Sequence, residues 1–428
     1  MKQNYQQTGL PVCYVDFDPS VTITKEEKTQ AAITLCTPSD TLKSDVKISG
    51  RGNNTWLLPK KPYNLKFEKK TSLLGMREGK KYALMANQCD PSMMRIAIGF
   101  EAGRWVSFEW PLEGRYIELV INGVHQGCYF LAERVSNTSV SIDKDFGYIL
   151  EFKYPDQVTD GSVNFVTDEE RYTMEFKVPD NPEVGGEMYN NAKETINNFE
   201  EEVFDNEKFE DRQWAERIDI DNFVRWYYWK NLLQMAECNR YYVVEKYKQG
   251  TPLKMGPLWD FDWSIGAVGR NGTVEHYTYH MPINKLFFKK IGKDSTFLEN
   301  VAKLHFQLRT NIEQNVNELY DSLTTLLRPS EKLNEKIWGA GPYWQSIPDW
   351  DKEIETDRAY LLSTLKYLDK ELAPYIKDAS DFPAGISQLK EEPLSHPTKF
   401  FHNGRLYIRR KSDVFDCQGR KVQVQELL

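Results

Sequence analysis

The sequence predicts an α+β protein with a strand-rich first third, a helical second half and a small β tail. Three observations carry this. Short β-prone runs separated by turn residues fill the first 150 residues, acidic amphipathic stretches dominate from 187 onward, and a second β-prone segment follows Pro383. At 428 residues the chain holds one large core or two to three modest domains. The changes in character divide it into residues 1–145, 146–380 and 381–428.

Leu10–Phe17 and Ala31–Leu35 are the first strand candidates, and Val46–Gly50 runs into the glycine-polar turn Arg51-Gly52-Asn53-Asn54-Thr55-Trp56. Tyr63–Glu68 alternates strictly, with Asn64, Lys66 and Glu68 on the polar face. Asp90-Pro91-Ser92 starts a helix whose apolar residues are Met93, Met94, Ile96, Ala97 and Phe100. Tyr116–Ile121, Asn122-Gly123 and Cys128–Leu131 form a hairpin, because Asn-Gly supplies the left-handed turn that joins paired strands. Gly147–Phe152 is a further strand. The stretch 187–236 is helical in pattern, Tyr241–Tyr247 and Leu253–Asp262 read as a hairpin, and helices are predicted over 295–328 and 350–377.

A net charge of −8 argues against nonspecific nucleic-acid binding. No apolar run is long enough to span a bilayer. Met1–Gln7 has no apolar leader, which fits a cytoplasmic protein or a chain whose signal segment has been removed. The six cysteines are scattered and contain no CxxC, and the six histidines show no HxH. GxSxG and Walker A motifs are absent. Aromatics reach 13%, with 11 Trp, which fits packed cores or stacking surfaces.

The chemistry-bearing candidates are few. Gly256-Pro257-Leu258-Trp259-Asp260-Phe261-Asp262-Trp263 sets two carboxylates two residues apart in an aromatic stretch. On an extended chain they share one face, roughly 6–7 Å apart, and such a pair suits a metal ion. Capping of backbone groups at a strand-to-turn junction is the structural alternative. Arg51–Thr55 offers a tight turn with a guanidinium, either a phosphate cradle or simply a turn. Lys66, on a strand after a polar loop, either holds phosphates or belongs to a solvated sheet face. Glu237 and Asn239, after the long helix, add a carboxylate and an amide to an oxygen-rich set suited to Mg²⁺, or else cap the helix end.

Arg51–Trp56 followed by Pro59-Lys60-Lys61-Pro62-Tyr63-Asn64-Leu65-Lys66 resembles the signature of the spore-coat protein H (CotH) kinase family. Asn87, Asp90, Arg95, Ile121–Glu133, Gly147–Glu151 and Gly256–Asp262 continue the resemblance in order, over about residues 10–375. It implies an atypical, two-lobed protein-kinase-like fold and Mg-dependent transfer of phosphate from ATP to Ser/Thr of a protein. By that resemblance Arg51, Gly52, Asn53, Asn54 and Thr55 lie over the nucleotide, and Lys66 contacts its phosphates. Asp260 is the metal ligand, supported by Asp262 and Asn239. Glu237 stands where the family commonly carries the aspartate base, which leaves a working base, a weak one or a relic. A methylene of displacement matters, since about 1 Å of misplacement can cost on the order of a hundredfold in rate.

The tail Asn403–Val422 resembles C-terminal β-modules of secreted proteins in Bacteroidetes-type bacteria, implying an extracytoplasmic or cell-surface location. A noncatalytic surface or glycan-binding protein on a degenerate kinase-like fold is the second reading. A glycan-processing enzyme built on paired carboxylates is a third.

Overall fold

The structure, a computed structural model, describes residues 4–235, 241–268, 275–276, 280–339 and 349–376, with tail strands at 398–402, 405–410, 413–416 and 421–422. Glu237 and Asn239 lie outside the described residues. The chain divides into two compact units, Met1–Ala373 and Pro374–Leu428.

Seven strands of the first unit close into a barrel: β1 (Val12–Asp16), β2 (Thr29–Cys36), β3 (Thr41–Gly50), β4 (Tyr63–Thr71), β5 (Gly79–Met85), β6 (Gly114–Ile121) and β7 (Val124–Glu133), in the order β1-β2-β3-β4-β5-β7-β6. The alternation in β4 turns Leu65 and Phe67 into the barrel and leaves Lys66 and Glu68 outside. The interior is apolar, with Val15, Ile33, Ile48, Leu84, Leu119 and Leu131 among its buried residues. Asn122 and Gly123 both have positive φ, 46° and 78°, as the two-residue hairpin turn requires. β1 seals the barrel by pairing in parallel with β6, Cys13 opposite Leu119. That closure leaves no sheet edge exposed.

Helix α1 (Arg95–Trp105) lies between β5 and β6 in the chain. A second, wholly antiparallel sheet follows, β12-β11-β8-β10-β9, from β8 (Tyr148–Lys153), β9 (Asn164–Val166), β10 (Thr173–Val178), β11 (Tyr241–Val244) and β12 (Lys254–Met255). The helical stretch expected from 187 is broken into α2 (Glu187–Phe204), α3 (Asn206–Glu210), α4 (Gln213–Arg217) and α5 (Ile220–Leu232). Asp205 and Asp219 begin new helices by accepting from the Lys208 and Asn222 amides, and Arg212 takes φ +59°. After α6 (Phe288–Ile291) come two long helices, α7 (Ser295–Trp338) and α8 (Trp350–Leu372).

Two local expectations are corrected. α7 does not stop before Pro329; it continues ten residues' worth of chain to Trp338 because that segment is fastened to the barrel. Ser330 Oγ donates to Glu118, Asn334 Oδ1 accepts from Lys60 Nζ at 2.8 Å, and Trp338 Nε1 donates to the Gln126 carbonyl at 2.8 Å. The arm Leu253–Asp262 is not a continuous strand either. β12 ends at Met255, and Asp260 has φ +71°, incompatible with an extended chain. The tail unit is a four-stranded antiparallel sheet, Thr398–His402, Arg405–Arg410, Asp413–Asp416 and Lys421–Val422, paired in chain order.

Candidate functional site

The aspartate pair sits on an irregular loop that packing holds in place. The Gly256 amide donates to the Tyr241 carbonyl, and a Cβ on Gly256 would lie 2.5 Å from that of Tyr241, so the loop leaves the sheet in close contact with β11. Phe261, between the two aspartates, is fully buried over Gly99 of α1, where a Cβ would meet its ring at 2.3 Å. Phe100 and Trp229 flank that ring, each with centroids 5.9 Å away. The positive φ of Asp260 costs on the order of 1 kcal/mol for a non-glycine residue. It permits an aromatic anchor between two carboxylates that an extended strand would have set on one face.

Asp262 is buried, and its Oδ1 has no hydrogen-bond partner among the described residues. Burial pushes its carboxyl up to about 8, reinforced by the charges of Asp260 and Asp90 and opposed by Arg51 and Arg95. The Cys89 thiol is likewise pushed up, by burial first and then by Asp262, Asp260 and Asp90, which sets the loop before α1 against the pair. No cluster of three or more ligand-type His, Cys, Asp or Glu side chains exists among the described residues. The donor set is nevertheless that of a hard cation: two neighbouring carboxylates, one with an unused buried oxygen. Mg²⁺ commonly takes one or two carboxylates and completes its shell with water and phosphate oxygens, so the residues present fit it.

Beside the pair lies a second ionic group. Arg95 is fully buried, and its Nη2 donates to Glu353 Oε1 and Asp357 Oδ1, each at 2.8 Å. Asp90 lies 3.4 Å from its Nη1 and accepts from the Ser92 amide, the Ser92 hydroxyl and the Arg95 amide. Burial raises the Asp357 carboxyl to about 7 against the pull of Arg95. Asp90 and Arg95 thus have a packing role, tying α1 to α8 next to Asp262.

The turn after β3 closes over the same region. Gly52 has φ +82°, and a Cβ on Gly50 would meet the Trp56 ring at 2.5 Å, so both glycines are required by geometry. Asn54–Leu57 forms a single helical turn, with Asn53 and Asn54 exposed and Thr55 half-buried. The Arg51 guanidinium stacks over Trp259, 5.1 Å from the ring centroid, one residue from Asp260. Burial lowers it to about 10; Arg134 adds to the lowering, while Asp260, Asp262 and Tyr241 oppose it. Arg51 and the aspartates are therefore brought together.

Lys66 is exposed on the outer face of β4, as its alternation predicts. It faces Lys47 on β3 and Lys81 on β5 rather than the aspartates. Arg134, which the sequence reading passed over, links the two groups: its amide donates to the Lys81 carbonyl at 3.4 Å, and its guanidinium affects Arg51. Nothing in the sequence signals that Tyr241 and Glu151 meet; the Tyr241 hydroxyl donates to Glu151 Oε1 at 3.2 Å. The only sequence signal for Arg134 is a charged pair, Glu133-Arg134, ending an apolar strand.

The model of the family described as CotH kinase protein matches residues 48–368. The chain belongs to the CotH kinase family. The CotH match runs from within β3 to within α8 and contains Arg51, Lys66, Asp260 and Asp262. Membership makes this a kinase-like protein. A search of curated proteins finds no match. No helix among the described residues is long and apolar enough to cross a membrane.

Proposed function

We propose that this CotH family member is an atypical protein kinase that binds Mg·ATP and transfers its terminal phosphate to Ser/Thr of a protein. The observation that carries the reading is Asp262: a buried carboxyl with an unpartnered oxygen, beside Asp260 and within the field of Arg51. In this reading the barrel serves as a first lobe, to about residue 145, and the second sheet and helices to about residue 380 as the other. The tail from 381 acts as a separate module of an extracytoplasmic or surface protein.

Asp260 and Asp262 would hold Mg²⁺, with Asn239 as a further ligand. The ion supplies charge neutralisation on phosphate oxygens, a large part of what phosphoryl transfer needs. Arg51, fixed against Trp259, orients the phosphates, and the turn Gly52-Asn53-Asn54-Thr55 covers the nucleotide. Lys66 supplies positive charge from the barrel wall. Glu237 accepts the proton of the attacking hydroxyl. Phe261 keeps the aspartate loop seated, and Trp259 and Phe261 exclude water behind it.

Calorimetric titration of ATP with Mg²⁺ into wild type and Asp260→Ala tests the reading. Saturable binding that weakens in the variant supports it, and no binding by folded wild type removes it. Glu237 in place of the family's aspartate favours a second reading, a noncatalytic binding protein on the same fold. Phosphate transfer to protein abolished by Asp260→Ala would overturn that alternative.

A further inference from the structure

We propose that Arg134 is a phosphate-binding residue, the last member of a cationic row built across the barrel wall. This assignment rests on the reading of the site as one for phosphates, and it deepens that reading. Strand register creates the row. Lys47 stands opposite Lys66, Lys66 opposite Lys81, and the Tyr82–Glu133 pairing brings the next residue, Arg134, alongside Lys81. Like charges directly opposite on neighbouring strands destabilise a sheet, so such a row persists at a cost unless an anion settles it.

No side chain of the row forms a hydrogen bond or ion pair with a described residue, and Arg134 is, with Lys81, one of its two half-buried members. Its backbone is fixed on both sides, the amide on the Lys81 carbonyl and the carbonyl accepting from Ser139 Oγ at 3.0 Å. Its guanidinium is half-buried, yet it forms no hydrogen bond or ion pair with any described residue. The acidic group it feels, Glu151, is already bound to Lys177 at 2.9 Å and Lys153 at 3.2 Å, and receives the Tyr241 hydroxyl. Its charge is also felt by the guanidinium of Arg51. Two guanidiniums held near each other, with their forks free of carboxylates among the described residues, match the oxygens of a phosphate chain. Arg51 leads from there to Asp260, so a polyphosphate lying on Arg134 and Arg51 ends at the candidate cation site.

The test is titration of inorganic tripolyphosphate in EDTA, so that no divalent cation takes part, with Mg·ATP titrated in parallel. The proteins are full-length wild type, Arg134→Met, Arg134→Lys and, as a charge-matched control, the exposed Lys28→Met. Thermal melts establish that each is folded, and Arg134→Lys carries the test if Arg134→Met does not fold. Loss of charge-assisted hydrogen bonds predicts roughly tenfold or greater weakening of tripolyphosphate binding in Arg134→Met, a smaller loss in Arg134→Lys and none in Lys28→Met. That pattern supports the proposal even if Mg·ATP fails to bind, an outcome that sinks only the nucleotide reading. Wild-type affinity for tripolyphosphate in both Arg134 variants overturns it, even if Mg·ATP binds normally. A folded wild type that binds no tripolyphosphate overturns it as well.

Discussion

Two buried ionic groups lie side by side in this molecule, and they are built on opposite plans. Around Arg95, one guanidinium is ringed by Asp90, Glu353 and Asp357, and the carboxylates are bound to it or to nearby amides and hydroxyls. Around Asp262, two carboxylates crowd together, one oxygen is left over, and the nearest cation, Arg51, stacks on Trp259. The first group is charge-paired, although Arg95 Nε and Nη1 make no hydrogen bond, and does a structural job. The second is left open, and burial of charge without a partner is the condition a ligand relieves. Adjacent burial of the same residue types thus carries opposite meanings, and what separates them is whether a cation stands within hydrogen-bond distance of the carboxylates.

Breaking the closed group should have the largest effect. Arg95→Met strands three buried carboxylates and is expected to cost about 3–5 kcal/mol in chemical denaturation. Adding Asp357→Asn should recover part of that loss, whereas full stability in the single variant would show that the ring is not structural. Gly99→Ala attacks the open group from behind. The new methyl meets the Phe261 ring, so about 2–3 kcal/mol of overpacking is expected, with Mg·ATP binding lost in protein that remains folded. Unchanged binding would mean that Phe261 does not seat the aspartates.

Glu133 is an intermediate case, with Arg77 at 3.7 Å and the Glu113 amide at 2.9 Å as partners. Burial nonetheless raises its carboxyl to about 7. The folded state therefore holds this proton more tightly than the unfolded chain does. The resulting stability is full below the ordinary glutamate value and is lost as pH rises toward 7, by roughly 3 kcal/mol. Glu133→Gln should flatten that portion of the stability–pH curve; an unaltered slope would place the charge elsewhere. The smallest effect is expected from Asp262→Asn. Removing one of two crowded buried carboxylates should leave stability unchanged or raise it by about 1 kcal/mol while weakening Mg·ATP binding. A loss as large as that of Arg95→Met would erase the distinction between the two groups.

Local patterns were legible in the sequence where local physics decides them. The alternation of Tyr63–Glu68 and the Asn122-Gly123 turn determine strand faces and a hairpin within a few residues, and both are present in the structure. The parallel β1–β6 pairing that closes the barrel was not legible, because its partners are about a hundred residues apart and no turn signal joins them. The Asp260–Asp262 pair was found by composition, but its geometry was misjudged: close packing of Phe261 over Gly99 overrides the extended conformation the spacing suggested. Arg134 was invisible for a related reason. What marks it is its place beside Lys81 in a cationic row, and that exists only once the strands are in register.

Pro329 divides α7 at a telling place. On one side of it Arg328 pairs with Asp351 of α8, and on the other Ser330, Asn334 and Trp338 hold the barrel. Proline has no N–H to return to the Thr325 carbonyl, so the rod is least stiff where its allegiance changes from helices to barrel. Bending between the part of α7 that holds α8 and the part that holds the barrel meets its lowest resistance in that one missing hydrogen bond.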